Sequence, residues 1–258
     1  MIHILATLAV STVVTLLFGL LFGYPDIRVG YGLIPGLIAG IVFFIWRSRV
    51  VMKDLEGIMA EVQKILTPPR NINPNRPYKP RIDDAIKALR KADRWRRMHP
   101  MIAGQIDGQI GMLLYVDQRF KEAQAPLQAS TPRNTVAMTM LACLYYKRGD
   151  LKAMNETFEK AVRFGKKESL TWNTWAWCLA NKGDRDAAIT VLNRAMKAMP
   201  GDERTERNLT SLQNGKDVRM KAWNEMWYQL HLEKPPAQMV NQAGARPRMD
   251  KRAMYRGR

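Results

Sequence analysis

Three histidines and two cysteines have the readiest chemistry in this 258-residue chain, and their spacing does not bring them together. His3, His99 and His231 are far apart, with His3 inside an apolar run and His99 directly before Pro100. Cys143 and Cys178 form no C-x-x-C pair. The chain also lacks an H-E-x-x-H motif, a phosphate-binding glycine loop and a nucleophile elbow. Asp83 and Asp84 are adjacent, so on a helix they point in different directions and suit a helix start better than paired acid–base work. No catalytic residue, metal site or cofactor is expected, and the chain is not expected to be an enzyme. Two cysteines without framework spacing agree with a reducing compartment. The cations offer a different chemistry: 41 Lys and Arg against 23 Asp and Glu give a net charge of +18. Arg246, Arg248, Lys251, Arg252, Arg256 and Arg258 crowd the C-terminal stretch and suit phosphates by charge alone. No nucleic-acid recognition pattern accompanies them, so nucleic acid is not the expected partner.

The elements that must position any site begin with two apolar runs. Residues 2–24 hold no Asp, Glu, Lys or Arg, and about 20 apolar residues suffice to cross a bilayer. A second run, 29–46, follows after only Pro25, Asp26, Ile27 and Arg28, so the two predict a transmembrane helical hairpin. A cleaved signal peptide needs a basic stretch before its core and a small-x-small site after it; His3 and Phe22-Gly23-Tyr24-Pro25 supply neither. Arg47, Arg49 and Lys53 lie just past the second run, whereas Arg28 in the turn is balanced by Asp26. Basic residues in short flanks stay on the cytoplasmic side. The expectation is an integral protein of the bacterial inner membrane, with both termini and everything after residue 46 cytoplasmic. Residues 2–46 and the basic residues beside them would contact lipid. Gly19 and Gly23, and then Gly32, Gly36 and Gly40, recur every fourth residue. Such small-residue faces let helices approach closely in lipid, here the two arms of the hairpin. An oligomer or a larger membrane complex stays open.

Past Trp46 the pattern turns amphipathic. Val51, Leu55, Ile58, Val62 and Ile65 step by four and three, which predicts a juxtamembrane helix over 47–66. Two heptads are too few to establish a coiled coil. Pro68, Pro69, Pro74, Pro77 and Pro80 exclude a helix from 67–80 and make it a semi-rigid spacer. Helical patterns then fill 81–234, ending in a helical stretch around 217–233. Residues 235–258 are polar and basic, and are expected to be disordered.

Within 81–234, the stretch from Thr135 to Asp202 repeats itself at an interval of 34 residues. Ala142 matches Ala176, Gly149 and Asp150 match Gly183 and Asp184, Ala153 matches Ala187, and Ala161 matches Ala195. One unit runs Trp172-x2-Trp175-Ala176-x2-Leu179, then Ala188-x3-Leu192, Ala195 and Pro200. The unit before it runs Met138-x2-Leu141-Ala142-x2-Tyr145, then Met154-x3-Phe158 and Ala161. A weaker one, 31 residues earlier, runs Asp107-x2-Ile110-Gly111-x2-Leu114, then Ala123-x3-Leu127. This pattern resembles the tetratricopeptide repeat, a pair of antiparallel helices that stacks into a solenoid. The fold class expected is therefore all-α: a membrane hairpin followed by a short solenoid of three recognisable units with flanking helices. Trp172 and Trp175 are expected in the core. The resemblance implies that first helices line a concave groove for a protein partner, either a peptide or a single helix. The groove-facing positions are Tyr115, Thr139, Cys143, Tyr146, Lys147, Asn173, Trp177 and Asn181. The expected function is a membrane-anchored adaptor or scaffold. An accessory subunit of a larger inner-membrane complex, or a charge-driven lipid- or RNA-binding protein, are the alternatives.

Overall fold

Helix-forming patterns recur along the whole sequence, and the structure, a computed structural model, describes residues 2–23, 29–67, 81–96 and 100–236. Among these residues there are helices and turns but no strand, which is the all-α class the sequence predicts. The helices are α1 (Ile2–Gly23), α2 (Val29–Leu66), α3 (Ile82–Arg90), α4 (Asp93–Arg96), α5 (Pro100–Val116) and α6 (Phe120–Ala129). They continue with α7 (Thr135–Arg148), α8 (Leu151–Phe164), α9 (Ser169–Asn181), α10 (Arg185–Ala198), α11 (Glu203–Gln213) and α12 (Asn224–Tyr228). A short 3-10 turn, Lys221–Trp223, precedes α12.

The first two helices form an antiparallel hairpin whose seam is made by glycine. A Cβ on Gly32 would fall 1.9 Å from the Thr15 carbonyl oxygen, and one on Gly36 would fall 2.0 Å from Thr15 Oγ1. At Gly40 the nearest atom would be Ser11 Cβ at 3.2 Å. The glycines of α2 therefore meet Ser11 and Thr15 of α1 rather than a matching glycine row. Gly19 is buried, while the surroundings of Gly23 lie outside the described residues. The outer faces carry Leu5, Leu8, Leu17, Leu21, Ile34, Leu37 and Ile41, all exposed. Both helices are long and apolar enough to cross a membrane.

The amphipathic stretch 47–66 is not a separate element. No proline or glycine interrupts the chain near Trp46, so α2 continues through it to Leu66. At 38 residues and about 1.5 Å per residue, α2 is nearly twice as long as a bilayer core is thick. Its seam packs within the chain: Val51, Ile58 and Val62 are buried with Ala85, Ile86 and Leu89 of α3. Lys91 Nζ reaches Glu61 at 2.6 Å, and Asp54 accepts from Arg94 and from the Trp95 indole. Such exposed pairs contribute about 0–1 kcal/mol each, so they fix the crossing more than they stabilise it. Of the spacer, Thr67 bonds back to Gln63; residues 68–80 lie outside the described residues.

Helices α5/α6, α7/α8 and α9/α10 are the three repeat pairs. Each needs a small residue where its two helices cross. A Cβ on Gly111 would meet Leu127 Cγ at 2.7 Å, and Ala142, Ala161, Ala176 and Ala195 are fully buried. The Gly-Asp dipeptide in the turns of the second and third pairs divides its work, whereas the first pair turns through Gln118 at φ 62°. Gly149 adopts φ 77° and Gly183 φ 87°, a left-handed conformation that ends a helix. Asp150 and Asp184 then cap the next helix, accepting from Ala153 N–H and Ala187 N–H at 3.0 Å. Between units, Phe158 stacks on Trp175 at 5.8 Å and Trp175 on Trp172 at 6.2 Å, with Arg194 across both rings. These two tryptophans are core residues, as the sequence predicts. Helix α11 packs on α9 and α10 and covers the end of the array.

The helical stretch expected around 217–233 is mostly not helical. Asn224 sits at φ 46° and ψ −126°, so the chain bends there and only the turn Lys221–Trp223 and α12 are helical. The basic tail after residue 236 lies outside the described residues.

Candidate functional site

The expected groove residues all fall on the first helices of the three units. Tyr115 comes from α5; Thr139, Cys143, Tyr146 and Lys147 from α7; Asn173, Trp177 and Asn181 from α9. Two open concavities, of about 530 and 750 Å3, lie elsewhere, and none of the eight residues lines either one. Tyr115, Thr139, Cys143, Asn173 and Trp177 are buried, whereas Lys147 and Asn181 are exposed and Tyr146 is intermediate.

Two of the buried residues, Tyr115 and Trp177, pack against the chain's own segment 218–232. Trp227 is fully buried, with its ring edge-on to Trp177 at 5.0 Å and its indole N–H donating to Glu233 at 2.9 Å. The Tyr115 hydroxyl donates to the Leu230 carbonyl at 2.6 Å. His231 lies 5.9 Å from the Tyr115 ring and 5.8 Å from Phe120, with Nε2 3.1 Å from the Val116 carbonyl. At the other end of the segment, Asn208 holds the Arg219 backbone from both sides. Its Oδ1 accepts from Arg219 N–H at 2.9 Å and its Nδ2 donates to the Arg219 carbonyl at 3.3 Å. Asn208 is set in place by Asn173, whose Oδ1 accepts from Asn208 Nδ2 at 2.8 Å. Asn173 in turn donates to Thr205 Oγ1 and to the Ser169 carbonyl, both at 2.8 Å. A buried amide satisfied this fully has little freedom to reorient.

The remaining expected residues split between the packed interior and the rim. Thr139 shares a 2.9 Å hydroxyl contact with Thr171 of α9, which ties two units together. Cys143 and Cys178 are both buried and free, and burial pushes the Cys178 thiol well above its ordinary range. Desolvation does the same to the Tyr115 phenol. Asn181 Nδ2 bonds back to the Trp177 carbonyl of its own helix. On the rim, Lys147 Nζ lies 3.9 Å from the Phe120 ring centroid and 5.3 Å from that of Tyr115. Partial burial lowers its pKa. Lys182, which the groove positions did not include, stands 5.2 Å over the Tyr146 ring.

Sequence reasoning missed Asn208, Trp227 and Leu230. Asn208 carries no signal of its own. Trp223, Trp227 and Leu230 did carry one, since they concentrate large apolar groups in a stretch that has left the repeat pattern. Among the described residues no cluster of His, Cys, Asp and Glu has the makings of a metal site. Tyr115 and Asn208 thus hold the backbone of the chain's own segment 218–232, with Trp227 packed edge-on to Trp177.

A search of curated proteins returned no match to this chain. The family model of the tetratricopeptide repeat matches residues 136–164, which are α7 and α8 with the Gly149–Asp150 turn between them. The same turn, the same buried alanines and the same cap recur one period later in α9 and α10. Residues 136–164 thus carry a tetratricopeptide repeat, and α9 and α10 repeat its features one period later.

Proposed function

We propose that this protein is a membrane-anchored adaptor, with its repeats on the cytoplasmic face of a bacterial inner membrane and its role the recruitment or assembly of a protein partner there. Repeat arrays of this family serve as protein-interaction scaffolds. The observation that carries the anchoring is the hairpin's inverted surface. Its small residues face inward and its leucines, isoleucines and phenylalanines face outward, uncovered by the rest of the described chain. Exposed apolar surface on that scale calls for lipid or protein around it. Because α2 runs without a break into the packing of α3, anchor and array are joined by a continuous helix. Arg47, Arg49 and Lys53 on that helix support the cytoplasmic orientation.

Reporter fusions placed after residue 80 and at the C-terminus test the topology. Cytoplasmic reporters should be active at both sites, and active periplasmic reporters would overturn the orientation. Photocrosslinking in cells from the rim positions Tyr146 and Asn181 should capture a defined protein. The accessory-subunit alternative draws less support from the glycine face, because Gly32, Gly36 and Gly40 are occupied by α1 and are not left for a further helix.

A further inference from the structure

We propose that residues 218–232 are a built-in occupant of the repeat groove, and that the protein partner enters by displacing them with a segment of the same chemistry. That chemistry is an aromatic residue followed three residues later by an aliphatic one, as in Trp227 and Leu230, with a carboxylate close behind. The inference rests on the adaptor reading and names the partner's recognition element.

Four observations carry it. First, the groove holds the segment as a receptor holds a peptide. Asn208 grips both backbone groups of Arg219, and Tyr115 donates to the Leu230 carbonyl. Backbone bonds of this kind accept any sequence, so selectivity is left to the recess where Trp227 meets Trp177. Second, the segment carries backbone strain that a replacement need not share. Asn224 and His231 both have positive φ, at 46° and 50°, and neither is glycine. Third, the segment starts outside the last long helix. Gly215 at φ 76° closes α11, with Lys216 N–H bonded back to the Ser211 carbonyl at 2.8 Å, so α11 is capped without the segment. Fourth, the occupant is electrostatically poor. Lys147 lies over the Phe120 and Tyr115 rings, the same two rings that His231 approaches, and no acidic side chain pairs with it among the described residues. Lys182 beside Tyr146 also has no ion pair there. A carboxylate at the position of His231 would gain an ion pair that the native segment lacks. A ligand shifts such an equilibrium only through this kind of differential affinity.

The test uses the full chain in detergent micelles and a fluorescent peptide copying residues 217–234. In one form of the protein, Trp227→Ala with Leu230→Ala loosens the built-in segment. The peptide should bind that form at least about tenfold more tightly than the wild-type chain, and adding Tyr115→Phe should weaken it several-fold. A peptide carrying H231E should bind more tightly again, with the gain lost at high salt. If the double variant does not fold, hydrogen exchange on the wild-type chain decides. Amides of residues 219–230 should exchange at least about tenfold faster than those of α7 and α9. Three results would overturn the proposal: equal peptide binding to both forms, no binding to a folded double variant, or exchange of 219–230 in step with α7 and α9. A dimer formed by exchanging the segment between copies would also overturn it, since the occupant would then be a second chain. None of these touches the topology test. A partner captured on the outer helices would leave the adaptor reading standing while this one fell.

Discussion

The N-terminal hairpin and the repeat pairs solve one problem in opposite ways. Both lay two helices antiparallel and use small residues to bring the backbones close. In the hairpin, Gly32, Gly36 and Gly40 meet Ser11 and Thr15, and the large apolar side chains turn outward. In the pair α7/α8, Ala142 and Ala161 make the close approach while Met138, Leu141, Met154 and Phe158 turn inward, leaving Lys152, Glu156 and Lys160 outside. The difference is the one that the proposed membrane anchoring calls for. In water, burying large side chains drives association. In hydrocarbon that drive is absent, so contact between backbones and small polar groups must serve, and the hydroxyls must be satisfied locally. Thr12 and Thr15 do this by bonding to the carbonyls of Leu8 and Ser11 in their own helix, at 2.8 and 2.9 Å.

If that contrast is right, the two regions should fail to different substitutions. Phe158→Ala should have the largest effect in the array, removing about 3–5 kcal/mol, because the ring is fully buried and stacked between two units. Chemical denaturation followed by helicity should show it. A loss below about 1 kcal/mol would mean the units are not held together through this ring. In the hairpin, adding bulk should do the damage. Gly32→Leu should disrupt the seam by about 1–3 kcal/mol or more, since the new side chain meets a backbone carbonyl that cannot move aside. Gly40→Ala should be far milder, because the new methyl meets only side-chain atoms, Ser11 Cβ at 3.2 Å, Ser11 Oγ at 3.6 Å and Thr7 Cγ2 at 3.7 Å. Thermal unfolding of the two variants in detergent, followed by helicity, can rank them. Equal losses in both would deny glycine its role in the seam.

A finer comparison lies between the two best repeats. Asp150→Ala and Asp184→Ala each delete a cap with a 3.0 Å bond at equivalent positions. Each should cost about 1 kcal/mol, and the two should match within a few tenths. A large mismatch would show that the units, though periodic in sequence, are not equivalent in their contribution to stability.

These positions explain which features the sequence disclosed. Alanine and glycine at helix crossings, and glycine before aspartate at turns, are demanded by local geometry, so they recur at fixed intervals and the period is visible. The outward leucines of α1 and α2 are visible for a similar reason, as unbroken apolar runs. Two features were not. Composition changes sharply at Trp46, but helix propensity does not, so the continuity of α2 could not be told from a boundary. The packing of segment 218–232 depends on pairs such as Tyr115 with Leu230, 115 residues apart, which leave no periodic trace. The eight groove positions came from the family resemblance. It indicates which face of the array they share but carries no information about what lies against them.

The smallest expected effect is a pH dependence confined to the groove. Burial lowers the pKa of His231 below its ordinary value of 6.5, and the nearby Lys147 charge acts in the same direction, while the Val116 carbonyl opposes both. The docked imidazole therefore takes up a proton less readily than the released one. The sign follows from that difference. Docking draws its full benefit from the neutral ring above 6.5, begins to lose it as pH falls below that value, and has lost it beneath the docked pKa. Nothing comparable is expected at the Phe158–Trp175 contact, where the neighbouring Arg194 guanidinium keeps its charge throughout. Exchange of amides 219–230, corrected for the intrinsic dependence on pH, should thus accelerate a few-fold between pH 7.5 and 5.5, while α7 and α9 stay unchanged. His231→Gln should flatten the response. A response of equal size in that variant would assign it to some other group, and the same acceleration in α7 and α9 would mean that acid loosens the whole array.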